Sequence, residues 1–136
     1  MKLAEITVKQ KSRWLAEKME PRTSLPDVDE DTRPFPRFSP RLVWVTASIH
    51  KYDVHWEPRN MTEPEMTRML KQELVRQYGA VAVWVFSFGR CRVDRPNQLE
   101  AQMVTMAMAN SEGEAVLDAA MLANGFVETG GQDARG

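Results

Sequence analysis

Two histidines and an aspartate lie close together in the sequence, at His50, Asp53 and His55. Imidazole and carboxylate groups are ligands by which proteins bind Zn²⁺ and Fe²⁺, so these residue types suit a metal site. In one continuous strand, however, positions 50 and 55 lie on opposite faces, because side chains alternate along a strand. We therefore expect partly exposed histidines at a strand end, and no bound metal or other cofactor.

The tripeptide Tyr52-Asp53-Val54 falls at the end of the first predicted strand. It resembles the aspartate-bearing strand of CRISPR-associated nucleases that have ferredoxin-like folds. The resemblance covers these three residues, and it implies that Asp53 would be a metal ligand in a metal-dependent nuclease. A nuclease-like enzyme is therefore one alternative for this chain.

Cys91 is the only cysteine, so the chain cannot form an internal disulfide, as is typical of a reducing compartment. It falls on the same face of a predicted strand as Val85 and Val93, which predicts a small core residue rather than a nucleophile. Catalysis requires titratable groups that converge in a pocket. Because the sequence offers no such convergent set, we predict no enzymatic activity.

Two helices are predicted by apolar residues at helical spacing and by typical end residues. The first begins at Thr62 as its N-cap and ends at Gly79. The second begins with a capping box at Ser111 and ends at Asn124. Alternating apolar residues predict the strands, which are 42–49, 80–93, 99–109 and a short 126–129.

These elements follow one another in the order β-α-β-β-α-β, which is the pattern of the ferredoxin-like fold. We therefore predict an α+β domain over 42–129, with an antiparallel sheet and both helices on one face. Five prolines between Pro21 and Pro40 exclude a helix or a central strand there. The remaining segments are predicted to be an amphipathic helix at 1–20, a proline-rich extended arm at 21–41 and a flexible tail at 130–136.

The second predicted strand has two different faces. One face carries small apolar residues that suit packing under the helices. An aromatic side chain has about 150–250 Å² to bury, and several of them uncovered would exceed the apolar patch that a monomer usually exposes. We therefore expect the opposite face to be covered. It carries Trp84, Phe86, Phe88, Arg90 and Arg92, with Trp44 expected beside them on the first strand.

Three covers for this face remain open. The first is the N-terminal segment of the chain itself, through Trp14, Leu15, Phe35 and Phe38. The second is another protein or a second copy, since aromatics and arginine are enriched at interface centres. The third is single-stranded nucleic acid stacked on the aromatics. Residues 98–136 hold six acids and one arginine, and the net charge is −1, which disfavours nucleic acid.

The composition is that of one globular domain, with 136 residues of which 43% are hydrophobic and 27% charged. No apolar run approaches the ~18 residues of a membrane span. The first ten residues lack the apolar stretch of a secretory signal. We therefore expect a cytoplasmic or virion-associated protein with no membrane partner.

These features predict a non-catalytic protein that binds other proteins or itself. Such a chain would be a subunit of a larger assembly, virion-type or other, or a small inhibitor or adaptor. The first alternative is a single-stranded nucleic-acid-binding module that uses the same sheet face. The expected contact residues are Pro34, Phe35, Pro36, Arg37, Phe38, Trp44, Trp84, Phe86, Phe88, Arg90 and Arg92.

Overall fold

The computed structural model describes residues 1–19, 44–50, 53–97, 99 and 102–128, with the backbone alone for 46–50 and 53–56. Over these ranges the chain has an α+β fold. Its elements are a 3-10 turn (Leu3–Glu5), α1 (Val8–Met19), β1 (Val45–His50), β2 (Asp53–Pro58), α2 (Pro64–Tyr78), β3 (Ala82–Val85), β4 (Cys91–Pro96), β5 (Met103–Ala109) and α3 (Glu112–Ala123). The predicted arm at 21–41 and tail at 130–136 lie outside the described residues.

The described strands form two antiparallel sheets. β1 pairs with β2 as a hairpin, and β3, β4 and β5 form a three-stranded sheet in that order. The ferredoxin-like strand order is not confirmed. The first predicted strand pairs with an additional strand, β2, and the second predicted strand is divided between β3 and β4. The chain reverses after His50, and it reverses again between Val85 and Cys91. The prediction of one strand over 80–93 is therefore wrong.

Several element boundaries also differ from the predictions. Glu63 rather than Thr62 is the N-cap of α2, and no side chain caps this end. The Thr62 hydroxyl instead donates a hydrogen bond to Asn60 Oδ1 at 2.6 Å, so it is engaged outside the helix. β5 begins at Met103 rather than at Leu99, and residues 126–128 form no strand.

Helix α3 is the most deeply buried element. It begins as predicted, with the Glu114 N–H donating to Ser111 Oγ at 3.2 Å. Every residue from Ala115 to Met121 is buried. This is expected because α3 packs against α1 and α2 and also against β4 and β5. α3 therefore lies at the centre of the described core.

The N-terminal helix α1 belongs to the same core. Leu15, Ala16 and Met19 are buried in the cluster that also holds α2 and α3 side chains. Ser12 Oγ accepts a hydrogen bond from the backbone N–H of Met61 at 3.1 Å, which ties α1 to the loop before α2. α1, within the segment predicted as an N-terminal amphipathic helix at 1–20, therefore supplies part of the core.

The three-stranded sheet packs one face against α3. Cys91, Val93 and Ala107 are buried on that face. Cys91 is thus a core residue, as the sequence predicts. Val85, predicted on the same face, is instead exposed, because it is the last residue of the edge strand β3. Among the helices in the described ranges, none combines the length and the apolar character needed to cross a bilayer.

Gly113 marks a close approach between α3 and the loop before α2. A Cβ atom at this position would lie 2.6 Å from the backbone oxygen of Thr62. Nearby, Lys71 on α2 forms an ion pair with Glu112 at the start of α3. Residue 113 must therefore be glycine for α3 to pack this closely against the loop before α2.

We predict that Gly113→Ala lowers the free energy of unfolding by about 1–3 kcal/mol, because the clash is with backbone and cannot be relieved by a rotamer change. This is opposite to the usual effect of replacing glycine with alanine in a helix. Chemical denaturation measures the change. Asn110→Ala, an exposed change just before the helix, is the control and should alter stability by less than about 0.5 kcal/mol. An unchanged or raised stability of Gly113→Ala would contradict the close approach.

Candidate functional site

The turn between β3 and β4 brings three aromatic residues together. Two backbone hydrogen bonds close it: the Phe86 N–H donates to the Arg90 carbonyl at 2.8 Å, and the Gly89 N–H donates to the Phe86 carbonyl at 3.0 Å. Gly89 has a φ of 93°, a left-handed conformation that glycine adopts readily. Phe86 and Phe88 therefore lie at the turn, next to Trp84 on β3, rather than along one extended strand.

A row of three side chains crosses the three-stranded sheet on the face opposite α3. Trp84 on β3 is paired with Arg92 on β4, and Arg92 is paired with Met108 on β5. Directly opposed residues lie on the same face of a sheet. Trp84 is 50% exposed and Met108 is also exposed. We call this row and the two turn phenylalanines the aromatic surface, which consists of Trp84, Phe86, Phe88, Arg92 and Met108.

Asp94 is the buried polar residue of this face, with 5% exposure. Its Oδ2 accepts hydrogen bonds from Trp84 Nε1 at 2.9 Å and from Arg92 Nε at 3.2 Å. Its Oδ1 lies 3.1 Å from the same Arg92 nitrogen but accepts no hydrogen bond in the described part of the chain. A buried carboxylate needs such partners, so Asp94 holds the indole and the guanidinium in place.

The rings of the aromatic surface also pack against one another. The Arg92 guanidinium carbon lies 5.7 Å from the Trp84 ring centroid and 5.5 Å from that of Phe86, within cation–π distance. The Phe86 and Phe88 rings stack with centroids 5.4 Å apart and planes inclined by 10°. Phe88 is nevertheless 69% exposed. The surface is thus apolar, ordered by its own contacts and open to solvent.

Trp44 is not part of the aromatic surface, so its predicted place on the open face is wrong. It is 6% exposed and belongs to the main core. The reason is that it precedes β1, which forms a separate hairpin with β2 and does not lie beside β3. Arg90, by contrast, is exposed at the turn that joins β3 to β4. The arm residues predicted as contacts, Pro34, Phe35, Pro36, Arg37 and Phe38, lie outside the described residues.

The two helix residues considered as a cover lie elsewhere. Trp14 packs edge-on against Phe126, with ring centroids 5.3 Å apart and an interplanar angle of 87°. Leu15 is fully buried in the core. Because α1 packs against α3 and β2, neither residue covers the aromatic surface. Phe35 and Phe38, the other members of that predicted cover, are outside the described ranges.

The residues that could bind a metal or act as acid and base are His, Cys, Asp and Glu. Where side chains are described, no three His, Cys, Asp or Glu residues are grouped so as to hold a metal ion. Cys91 is buried and has no disulfide partner. His50 ends β1, Asp53 begins β2 and His55 follows in β2. For these three the structure describes the backbone, so the role predicted for Asp53 in the nuclease alternative stays a prediction.

A cavity of about 540 Å³ lies between β5, α3 and the N-terminal turn. At its wall Lys11 Nζ donates a hydrogen bond to Asp118 Oδ1 at 2.7 Å. Both side chains of this ion pair are more than nine-tenths buried. Glu114 and Glu128 also line the cavity, and Glu128 Oε2 accepts a hydrogen bond from the Leu3 backbone N–H at 2.9 Å. The cavity therefore contains a salt bridge that joins α1 to α3.

Burial raises the pKa of the Asp118 carboxyl above its ordinary value of 3.8. Desolvation of the carboxylate outweighs the lowering by the Lys11 hydrogen bond and charge, and nearby Glu114 and Glu128 raise the pKa further. Between 3.8 and the raised pKa, the folded chain binds more protons at this group than the unfolded chain does. Asp118 therefore makes folding less favourable as the pH rises through that interval.

Comparison with protein-family models, with curated proteins and with solved structures finds no match to this chain.

We predict that Lys11→Met lowers the free energy of unfolding by about 3–5 kcal/mol at pH 7, because it leaves the Asp118 carboxylate buried without its cation. The loss should be smaller at pH 4, where the carboxyl is more readily protonated and the missing charge matters less. Urea denaturation at both pH values measures these changes.

The matched variant is the double change Lys11→Met/Asp118→Leu, which replaces the ion pair by apolar groups. It should recover most of the lost stability, because a well-packed apolar pair avoids the desolvation of two charges. A double variant as unstable as Lys11→Met at pH 7 would show that the ion pair is not the cause of the loss.

Proposed function

We propose that this chain is a non-catalytic interaction protein, a subunit that associates with a second copy of itself through the aromatic surface. The proposal depends on one observation: exposed aromatic side chains are held in fixed positions at the edge of a sheet. Trp84 is half exposed and Phe88 more so, yet both are anchored by contacts with their neighbours. Large exposed apolar patches of this kind are typical of protein-binding sites.

The fixed positions of these rings favour binding. Association normally costs about 0.5–1.5 kcal/mol for each flexible side chain that becomes ordered at an interface. The Trp84 indole is already fixed by its hydrogen bond to Asp94, and Phe86 and Phe88 are already stacked. Aromatic residues and arginine are also the side chains that contribute most at interface centres. This surface can therefore bind a partner with little further ordering.

The charges near the surface favour a protein partner over a nucleic acid. Arg92 forms an ion pair with Asp94, so its charge is largely compensated. Arg90 is exposed nearby, and within the described ranges it is the one cation close to the rings that forms no ion pair. Nucleic-acid affinity depends mainly on several phosphate contacts made by lysine and arginine. A nearly neutral apolar surface suits another protein.

A second copy is the partner that the edge of the sheet favours. Among the described strands, β3 pairs with β4 alone, so no described strand pairs with the backbone groups of its other edge. Two β3 strands can pair antiparallel about a twofold axis, which makes one continuous sheet of six strands. Because a twofold axis perpendicular to the sheet keeps the same faces on the same side, the Trp84 side chains of the two copies would then lie next to each other and join the two aromatic surfaces. The compensated Arg92–Asp94 pairs would not repel each other across the interface.

We predict that the full-length chain dimerises with a dissociation constant on the order of micromolar, the weak end of the range that protein interfaces show. The double variant Trp84→Ala/Phe88→Ala should weaken dimerisation at least about 10-fold, because it removes two anchors of the interface. Sedimentation equilibrium over a range of protein concentrations measures both constants.

The control is Val127→Ala, which shortens a side chain of similar exposure (72%) in the segment after α3. It should leave the dissociation constant unchanged. Circular dichroism and a thermal melt should show that all variants keep the fold. A wild-type chain that stays monomeric at high micromolar concentration, or a dimer that Trp84→Ala/Phe88→Ala leaves intact, would contradict the proposal.

The rival function, binding of single-stranded nucleic acid, is tested on the same residues. We expect no salt-dependent change in tryptophan fluorescence when single-stranded DNA or RNA oligonucleotides are added, because few cations border the rings. Micromolar binding that weakens with salt and is lost in Arg90→Ala/Arg92→Ala would favour the rival.

A further inference from the structure

The hairpin of β1 and β2 changes the relation between the two histidines. His50 is paired with Asp53 in the antiparallel register, so these two positions share one face of the hairpin. His55 lies two residues after Asp53 on β2, and residues at i and i+2 share a face as well. The expectation that positions 50 and 55 lie on opposite faces is therefore wrong, because the chain reverses between them.

The residue types on this face are polar. The register places Thr46, Ser48 and Glu57 on the same face of the hairpin as His50, Asp53 and His55. Of the hairpin side chains that the structure describes, Glu57 on this face is exposed and Val45 on the alternate face is buried in the core.

We propose that His50, Asp53 and His55 together form a binding site for a divalent transition-metal ion, with Zn²⁺ as its first choice. Directly opposed residues have Cβ atoms about 4.5–5.5 Å apart, and diagonal neighbours such as His50 and His55 about 7–8 Å. Two imidazoles and a carboxylate on neighbouring positions can share one ion at this spacing. Two nitrogen ligands and one oxygen ligand suit Zn²⁺, with water in the remaining position.

The site is independent of the aromatic surface. It lies on the two-stranded sheet, whereas the aromatic surface lies on the three-stranded sheet. Metal binding needs no second copy of the chain, because all three residues come from one hairpin. The metal proposal and the dimer proposal can therefore fail separately.

The first test is calorimetric titration of the metal-free full-length chain with ZnCl₂. We expect one Zn²⁺ per chain, and at least about 10-fold weaker binding in His50→Ala, His55→Ala and Asp53→Asn, since losing a ligand should cost no less than losing a group that merely orients one. Ser48→Ala, a polar position on the same face, is the matched control and should bind as the wild type does. Equal affinity of the wild type and His50→Ala/His55→Ala would overturn the proposal.

The second test counts the nitrogen ligands. His50 and His55 are the only histidines in the chain, so the electron paramagnetic resonance spectrum of bound Cu²⁺ can be assigned to them without ambiguity. We expect nitrogen hyperfine coupling from two imidazoles in the wild type, from one in each single histidine variant and from none in the double variant. Coupling to fewer than two imidazoles in the wild type would overturn the shared site, and this result needs no variant to fold.

Discussion

The burial of α3 is the constraint on which the rest of the described structure depends. Seven consecutive residues of this helix are buried, from Ala115 to Met121, so the helix must be enclosed by other elements. One of the seven is Asp118, whose carboxylate cannot stay buried without a partner. Lys11 supplies the cation from α1. The position of α1 against α3 is thus set by an electrostatic requirement as well as by apolar packing.

The same helix decides which face of the three-stranded sheet packs into the core. Because α3 packs against β4 and β5, Cys91 and Val93 are buried on that face and the alternate residues lie on the opposite one. Trp84 and Arg92 are among those alternate residues. Asp94 lies on that face too but is buried, and its contacts with the indole and guanidinium keep an otherwise apolar surface in one arrangement. The Asp94 carboxylate thus fixes the side chains of the aromatic surface, as the Asp118 carboxylate fixes α1 against α3.

The aromatic surface and the face of the β1–β2 hairpin that carries His50 and Asp53 differ in chemistry. The aromatic surface is the face of its sheet that does not pack against α3, and antiparallel sheets commonly have one such face. In the three-stranded sheet this face is aromatic, with one compensated arginine, which suits an apolar protein partner. The hairpin face carries imidazole, carboxylate and hydroxyl residue types, which suit a metal ion. The two proposed binding roles therefore depend on different sheets.

The sequence by itself determined the helices α2 and α3, the burial of Cys91 and the α+β class, because these follow from local signals: helical spacing, Gly79 after α2, and the Ser111 cap. Only the tertiary structure decided where strands reverse and pair. Large side chains occupy every second position from Trp84 through Phe86 and Phe88, and Arg92 continues this pattern. The turn between β3 and β4 therefore does not interrupt the alternation that predicts a strand. Gly89, with its positive φ, is the one residue that signals the turn locally. The hairpin at His50 and the burial of Trp44 likewise depend on strand partners, which local residue patterns do not specify.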